Sequence, residues 1–134
     1  MRRRGDVFVE TAFTLPVILL VTAGLIQAGL LAYAANASSQ AARHGARMAS
    51  VAQGGLGPVV AAAEAYQTAR QLFPMDASPL VELLAPGGTP GTEITVRVTL
   101  RAPNVLSPLA TLFPVLPRGP IPVSASATFR QEGW

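Results

Sequence analysis

An uncharged run from Thr11 to Ala42, TAFTLPVILLVTAGLIQAGLLAYAANASSQAA, constrains this chain more than any other feature. An α-helix needs about 20 apolar residues to cross a bilayer core of about 30 Å, and this run is longer. A membrane helix is the first expectation. Helix formers without proline continue through Asn36 to Val51, and the pattern stops only at Gly54-Gly55-Leu56-Gly57-Pro58. The spacing predicts one long N-terminal helix over 6–52, half embedded and half projecting.

Three features inside that helix bear on what it does. Pro16 removes one backbone donor and crowds the carbonyl of Ala12, with Thr11 and Thr14 placed to offer hydroxyls to freed carbonyls, so a kink or loosening is expected near Ala12 to Pro16. Small residues recur every four positions at Gly24, Ala28 and Ala32, then at Ala37, Ala41, Gly45 and Ala49. Such rows let helices approach closely in a membrane, though an alanine-rich helix also produces them by chance. Gln27 places a polar group within the apolar run, where it needs a partner on another helix or its own backbone. Beyond the run, Arg43 and Arg47 share one helix face, either solvated or at headgroups, or paired with acids of a partner subunit. His44, the single histidine, has no second ligand near it in the sequence and reads as an exposed helix residue.

The charge balance excludes less than it first suggests. The chain has a formal net charge of +3, from ten basic residues, all arginine, and seven acids. Loss of residues 1–5 would remove Arg2, Arg3 and Arg4 and leave seven arginines against seven acids, so the basic character is no argument for nucleic acid. With no cysteine there is neither a disulfide framework nor a thiolate metal site. Serines, the histidine and the acids form no nucleophile elbow, no paired histidines and no metal-ligand spacing, so neither an enzyme nor a cofactor is expected.

After the glycine-rich break, Pro58 opens a second helix that runs to about Phe73 and ends before Pro74. Val59, Ala63, Tyr66 and Phe73 fall on one side of it and are expected to lie on a sheet. Residues 75–91 read as irregular, with a short apolar piece from Leu80 to Leu84. The clearest strand is 93–101, where Ile94, Val96, Val98 and Leu100 alternate with Thr95, Arg97, Thr99 and Arg101, giving one buried and one wet face. Leu106 to Leu116 is apolar but broken by Pro108 and Pro114. It suits a short helix or a lipid-side loop whose Leu109, Leu112 and Phe113 dock on the membrane or a partner, or pack beneath the sheet. A closing strand alternates Val123, Ala125, Ala127 and Phe129 with polar residues and should pair antiparallel with 93–101. The expected fold is α+β: a long transmembrane and projecting helix, and a second helix packed on a small antiparallel sheet over 58–134.

The N-terminus adds a motif. Arg3-Arg4-Gly5, Val9-Glu10, Leu15-Pro16-Val17 followed by aliphatics, and Ala41-Ala42-Arg43-His44-Gly45-Ala46-Arg47 occur in this order, which resembles the TadE-like minor pseudopilins of the tight-adherence (Tad/Flp) pilus system, relatives of type IV pilins. The strand, proline-rich connection and closing strand are similar to the family's C-terminal half, while the specific motifs lie in the first 50 residues. One departure is Thr11, where the family usually has an aromatic. The resemblance implies a basic leader at 1–5, cleavage by a prepilin peptidase after Gly5, Asp6 as new N-terminus and Glu10 as its fifth residue. It further implies a single pass through the bacterial cytoplasmic membrane, with the N-terminus inside and the C-terminal part exported. The implied partners are the lipid bilayer, the peptidase, the major pilin, other minor pseudopilins and the pilus platform proteins. Whether the chain enters the filament or stays at its base is left open.

Two other readings fit parts of the sequence. Ala35-Asn36-Ala37 matches a small-x-small signal-peptidase site, which would release a soluble binding domain after Ala37. Against it, the apolar run exceeds the usual 7 to 15 residues of a signal peptide, and Glu10 stands between the arginines and that run. The third reading is an uncleaved single-pass anchor with no role in a pilus.

Overall fold

A computed structural model of the 134-residue chain describes residues 3–53, 55–111 and 113–132, with side chains from Phe8 onward. Arg2 and Leu112 lie outside the described residues, as do the side chains of 3–7, Asp6 among them. Helix α1 covers Arg3–Ser50 and α2 covers Gly57–Leu72. They are followed by β1 (Leu80–Pro86), β2 (Glu93–Ala102), a 3-10 turn (Ser107–Thr111) and β3 (Ile121–Arg130).

Alanine and leucine carry α1 without interruption through Pro16 to its last turn, where Arg47 sits favourably at the negative end of the helix dipole. The Ser50 hydroxyl donates to the Arg47 carbonyl at 2.7 Å, and the chain then turns through Gly55 at φ +75°, a conformation that glycine adopts without steric cost. Proline in the first turn starts α2, where its missing N–H would have been unpaired in any case. At the other end the Phe73 amide donates to the Ala69 carbonyl at 2.9 Å, and Pro74 prevents continuation.

The second half of α1 does not project as a free stalk. Ala34, Ala37, Ala41, Ala42, Ala46 and Ala49 are buried, and they form the spine of the core. Because α2 runs back along α1, Gly57 lies near Ala49, Gly45 near Ala61 and Ala65, and Tyr33 near Leu72 and Phe73. A Cβ added at Gly45 would stand 2.7 Å from the Ala65 Cβ and 2.8 Å from the Ala61 carbonyl oxygen, so only glycine lets the two backbones come this close.

That close approach overturns the expected face of α2. Its buried residues are Gly57, Ala61, Ala65 and Ala69, whereas Val59 is 67% exposed and Ala63 and Tyr66 also face outward. Only Phe73, just past the helix end, is buried as expected. Large side chains would hold the helices apart, so the alanine row turns inward and the bulky residues move to the periphery.

The sheet has three antiparallel strands in the order β1-β2-β3, one more than the alternation predicted. Residues 80–86 form an edge strand with a bulge between Leu83 and Ala85, not an irregular segment. The β2–β3 pairing runs from Glu93 opposite Arg130 to Ala102 opposite Ile121, antiparallel as expected. Helix α1 lies over β2 and β3, and α2 over β1 and β2, so both helices share one face of the sheet. Beneath them Ile94, Val96, Val98 and Leu100 are fully buried, each contributing about 1.5–3 kcal/mol of gross hydrophobic stabilisation. The opposite face is wet: Thr95 and Thr128 hydroxyls bond across the strands at 2.8 Å, and Arg97 stands 3.9 Å from Glu82.

Candidate membrane and assembly surface

The two halves of α1 have different surroundings, and the change comes at Gln27. From Phe8 to Ile26 only Ala23 is partly covered by protein, and the bulk of the surface is Phe13, Leu15, Ile18, Leu19, Val21, Leu25 and their aliphatic neighbours. Burying such residues in a soluble core would be favourable, yet the most apolar stretch of this helix is almost wholly uncovered. At 1.5 Å per residue the bare stretch is about 28 Å long, close to the thickness of a bilayer core. Among the described residues this is the one helix long and apolar enough to cross a membrane.

Gln27 is 5% exposed and closes that stretch. Its Oε1 accepts the Val105 amide at 2.8 Å, and its Nε2 donates to the Pro103 carbonyl at 3.3 Å. The expectation of a bond to another helix or to its own backbone is thereby corrected: both groups of the amide serve the loop that leaves β2. A glutamine suits the position because one side chain offers an acceptor and a donor together. The folded part of the chain is thus fastened to α1 at the level where the bare surface ends.

Near the other end of the bare stretch, Glu10 is exposed, and the Thr14 hydroxyl donates to the Glu10 carbonyl at 2.8 Å, not to the Ala12 carbonyl freed by Pro16. Pro16 itself lines an open apolar groove of about 510 Å³ with Leu19, Leu20, Ala23, Leu109 and Phe113. The groove brings the loop after β2 alongside the membrane-type part of α1.

The two small-residue rows differ in burial. Ala41 and Gly45 are buried within the chain, Gly45 directly against α2, whereas Gly24, Ala28 and Ala32 face outward. A Cβ built on Gly24 meets nothing within 4 Å, so close approach by another helix is sterically open there. Arg43 and Arg47 are exposed, as is His44, whose Nε2 lies 3.4 Å from Glu64 Oε2 on α2.

Several structural polar residues carried no local signal in the sequence. Asp76 is 6% exposed and accepts the Ser78 amide at 3.1 Å and the Arg101 amide at 2.7 Å, joining the exit of α2 to the end of β2. Asp two residues before Ser in a turn was the one available hint, since aspartate readily accepts such an amide. The Tyr33 hydroxyl donates to the Leu72 carbonyl while its ring rests on Phe73 at 5.4 Å, satisfying an acceptor at the end of α2. Gln131 accepts the Gly88 amide at 2.8 Å and pairs with the chain at Gly91 and Thr92. Among the described residues no group of three His, Asp or Glu side chains is placed to hold a metal ion.

Residues 5–47 match the family model described as TadE-like protein, the stretch that contains Gly5, Glu10, the bare helix and the Arg43–Arg47 segment. No curated protein and no solved structure matched the chain.

Proposed function

We propose that this chain is a membrane-anchored pseudopilin that initiates or supports assembly of a Tad/Flp-type pilus. The family match and the one helix among the described residues that is long and apolar enough to span a bilayer fit a membrane-anchored protein associated with such a pilus. The observation that carries the reading is the position of the Gly5 to Glu10 motif, within the matched residues and at the start of a helix surface left bare for about one bilayer thickness.

In this reading a prepilin peptidase cuts after Gly5, between a cytoplasmic basic leader and an N-terminal helix beginning at Asp6. Positive charge retained inside is the usual sense of membrane insertion. A carboxylate at Glu10 is costly in lipid unless paired, and the amine freed on Asp6, of the same or a neighbouring subunit, is its partner. That pairing draws the subunit into a growing assembly, with Gly24, Ala28 and Ala32 supplying the helix surface packed there and Pro16 a point at which the helix can bend. The exported part then contacts the major pilin, other minor pseudopilins or platform proteins, with Arg43 and Arg47 available to acidic partners. The work is structural association, not catalysis.

Cleavage after Ala37 is less compatible with the fold. Ala37 is 2% exposed and Ser38 fully buried, and a cut there would remove Gln27, Tyr33 and Ala34 from the packed unit. The test is the N-terminus of the membrane-purified protein, by intact mass and terminal sequencing. Asp6 as first residue supports the reading, and Glu10→Ala should then abolish pilus assembly without loss of the protein from the membrane. A start at Ser38 overturns it in favour of a secreted domain, and retention of Met1 leaves an uncleaved anchor.

A further inference from the structure

The loop between β2 and β3 has the properties of a second membrane contact. From Ala102 to Pro117 it contains no charged residue, and Arg101 and Arg118 bracket it. Three of its apolar side chains are left exposed, Val105 at 39%, Phe113 at 52% and Val115 at 91%, while Ala110 is buried and Leu106, Leu109 and Leu116 are half-buried. A nearly bare valine at a loop tip gains nothing in water.

The position of the loop says what covers it. Gln27 holds its first residues at the end of the bare helix surface, and β2 delivers it there because that strand runs from the Ser50 end of α1 toward Gln27. From Gln27 the loop continues along α1 toward the N-terminus, so that Leu109 and Phe113 face Pro16, Leu19, Leu20 and Ala23 across the groove. On the helix those four residues lie about 6–16 Å beyond Gln27. This is the depth of the outer half of a bilayer whose core the bare stretch crosses. The apolar groove is therefore continuous with the surface that lipid covers.

Irregular backbone is normally excluded from hydrocarbon, because each unpaired amide there costs several kcal/mol. Much of this loop's backbone answers that objection within itself. Pro103, Pro108, Pro114 and Pro117 have no N–H to satisfy. The amides of Val105, Leu106, Ser107, Leu109, Phe113 and Leu116 are all donated, to Gln27, Asn104, Leu106, Leu109 and Phe113. The Thr111 hydroxyl donates to the Pro108 carbonyl at 2.9 Å, and Asn104 Nδ2 closes the base of the loop on the Pro117 carbonyl at 2.7 Å.

We propose that residues 105–111 and 113–116 insert into the outer leaflet beside α1, with lipid acyl chains filling the groove between the loop and the helix. The inference rests on the membrane-spanning role of α1 in the proposed function and adds a second, shallower point of attachment. Together the two contacts fix the rotation and tilt of the exported part relative to the bilayer, which a single helix leaves free.

Since the chain has no cysteine, single-cysteine variants report cleanly. The full chain is reconstituted in phosphatidylcholine–phosphatidylglycerol vesicles with a nitroxide at V115C, at V21C on the bare helix outside the groove, or at S126C on the wet face of the sheet. Accessibility to oxygen and to a water-soluble nickel complex is then measured. The expected result is that V115C resembles V21C, with oxygen favoured several-fold over nickel relative to S126C. Val115 is so exposed that its replacement does not disturb the fold. Nickel access at V115C with lipid values at V21C overturns the loop insertion while leaving the anchor intact. Low access to both reagents at V115C overturns it in favour of a covering protein. Water values at both V115C and V21C remove the anchor reading as well.

Discussion

Replacing Gly45 with alanine tests the packing on which the helix pair depends. The added methyl would begin 2.7 Å from the Ala65 Cβ, against about 3.5–4.0 Å for carbons in contact, and 2.8 Å from the Ala61 carbonyl oxygen. The second neighbour is backbone, so no side-chain rotation relieves the overlap, and α2 must move away as a body. Overpacking of this kind costs about 1–3 kcal/mol. It is opposed by helix propensity, since alanine is favoured over an interior glycine by about 0.8–1.0 kcal/mol. The net expectation is a loss of about 0–2 kcal/mol, the upper end applying if α2 cannot give way. Urea unfolding of the full chain in dodecyl maltoside, followed by far-UV circular dichroism, measures it. Ala65→Gly alone and combined with Gly45→Ala completes a cycle, in which the pair should couple by at least about 0.5 kcal/mol. A Gly45→Ala protein more stable than the parent, with no coupling to position 65, would refute the close approach of the two helices.

Tyr33→Phe removes only the hydroxyl that serves the Leu72 carbonyl and keeps the ring on Phe73; it should cost about 0.5–1.5 kcal/mol in the same unfolding assay. Unchanged stability would mean that water satisfies that carbonyl equally well. Asp76→Ala strips the part-buried Ser78 and Arg101 amides of their acceptor and should cost about 1–3 kcal/mol in total. Hydrogen exchange should accelerate at Arg101 before the rest of β2, and equal protection in variant and parent would count against the role given to Asp76.

What could be read ahead of the fold was whatever leaves a local period. The strand over 93–101 and its closing partner were visible because their apolar and polar residues alternate strictly, and the structure pairs them in antiparallel register. The long helix and the limits of α2 were visible because glycine and proline punctuate them. The face of α2 was not, because pattern reading gives core positions to the largest apolar residues. Here the deciding quantity is the distance to α1, which is set by Gly45 on a different helix. Strand β1 was hidden for a similar reason: Leu80 and Leu84 are exposed while Val81 and Leu83 turn inward, so its alternation is of burial and not of polarity. Gln27 stood out as a polar residue needing a partner, but that partner lies 76 to 78 residues away in the chain and leaves no trace near it.

The arrangement of α1 beneath β3 also sets an order of events during synthesis. The alanine face of α1 is complete once Ser50 has been made, and α2 can cover one flank soon after, through a short turn. The strands that cover the remainder come later, and β3 is finished only at Arg130. At about 5–20 residues per second, the interval between Ser50 and Arg130 lasts about 4–16 s. During that time the α1–α2 pair lacks its sheet, and the close approach at Gly45 is among the few contacts it can already make.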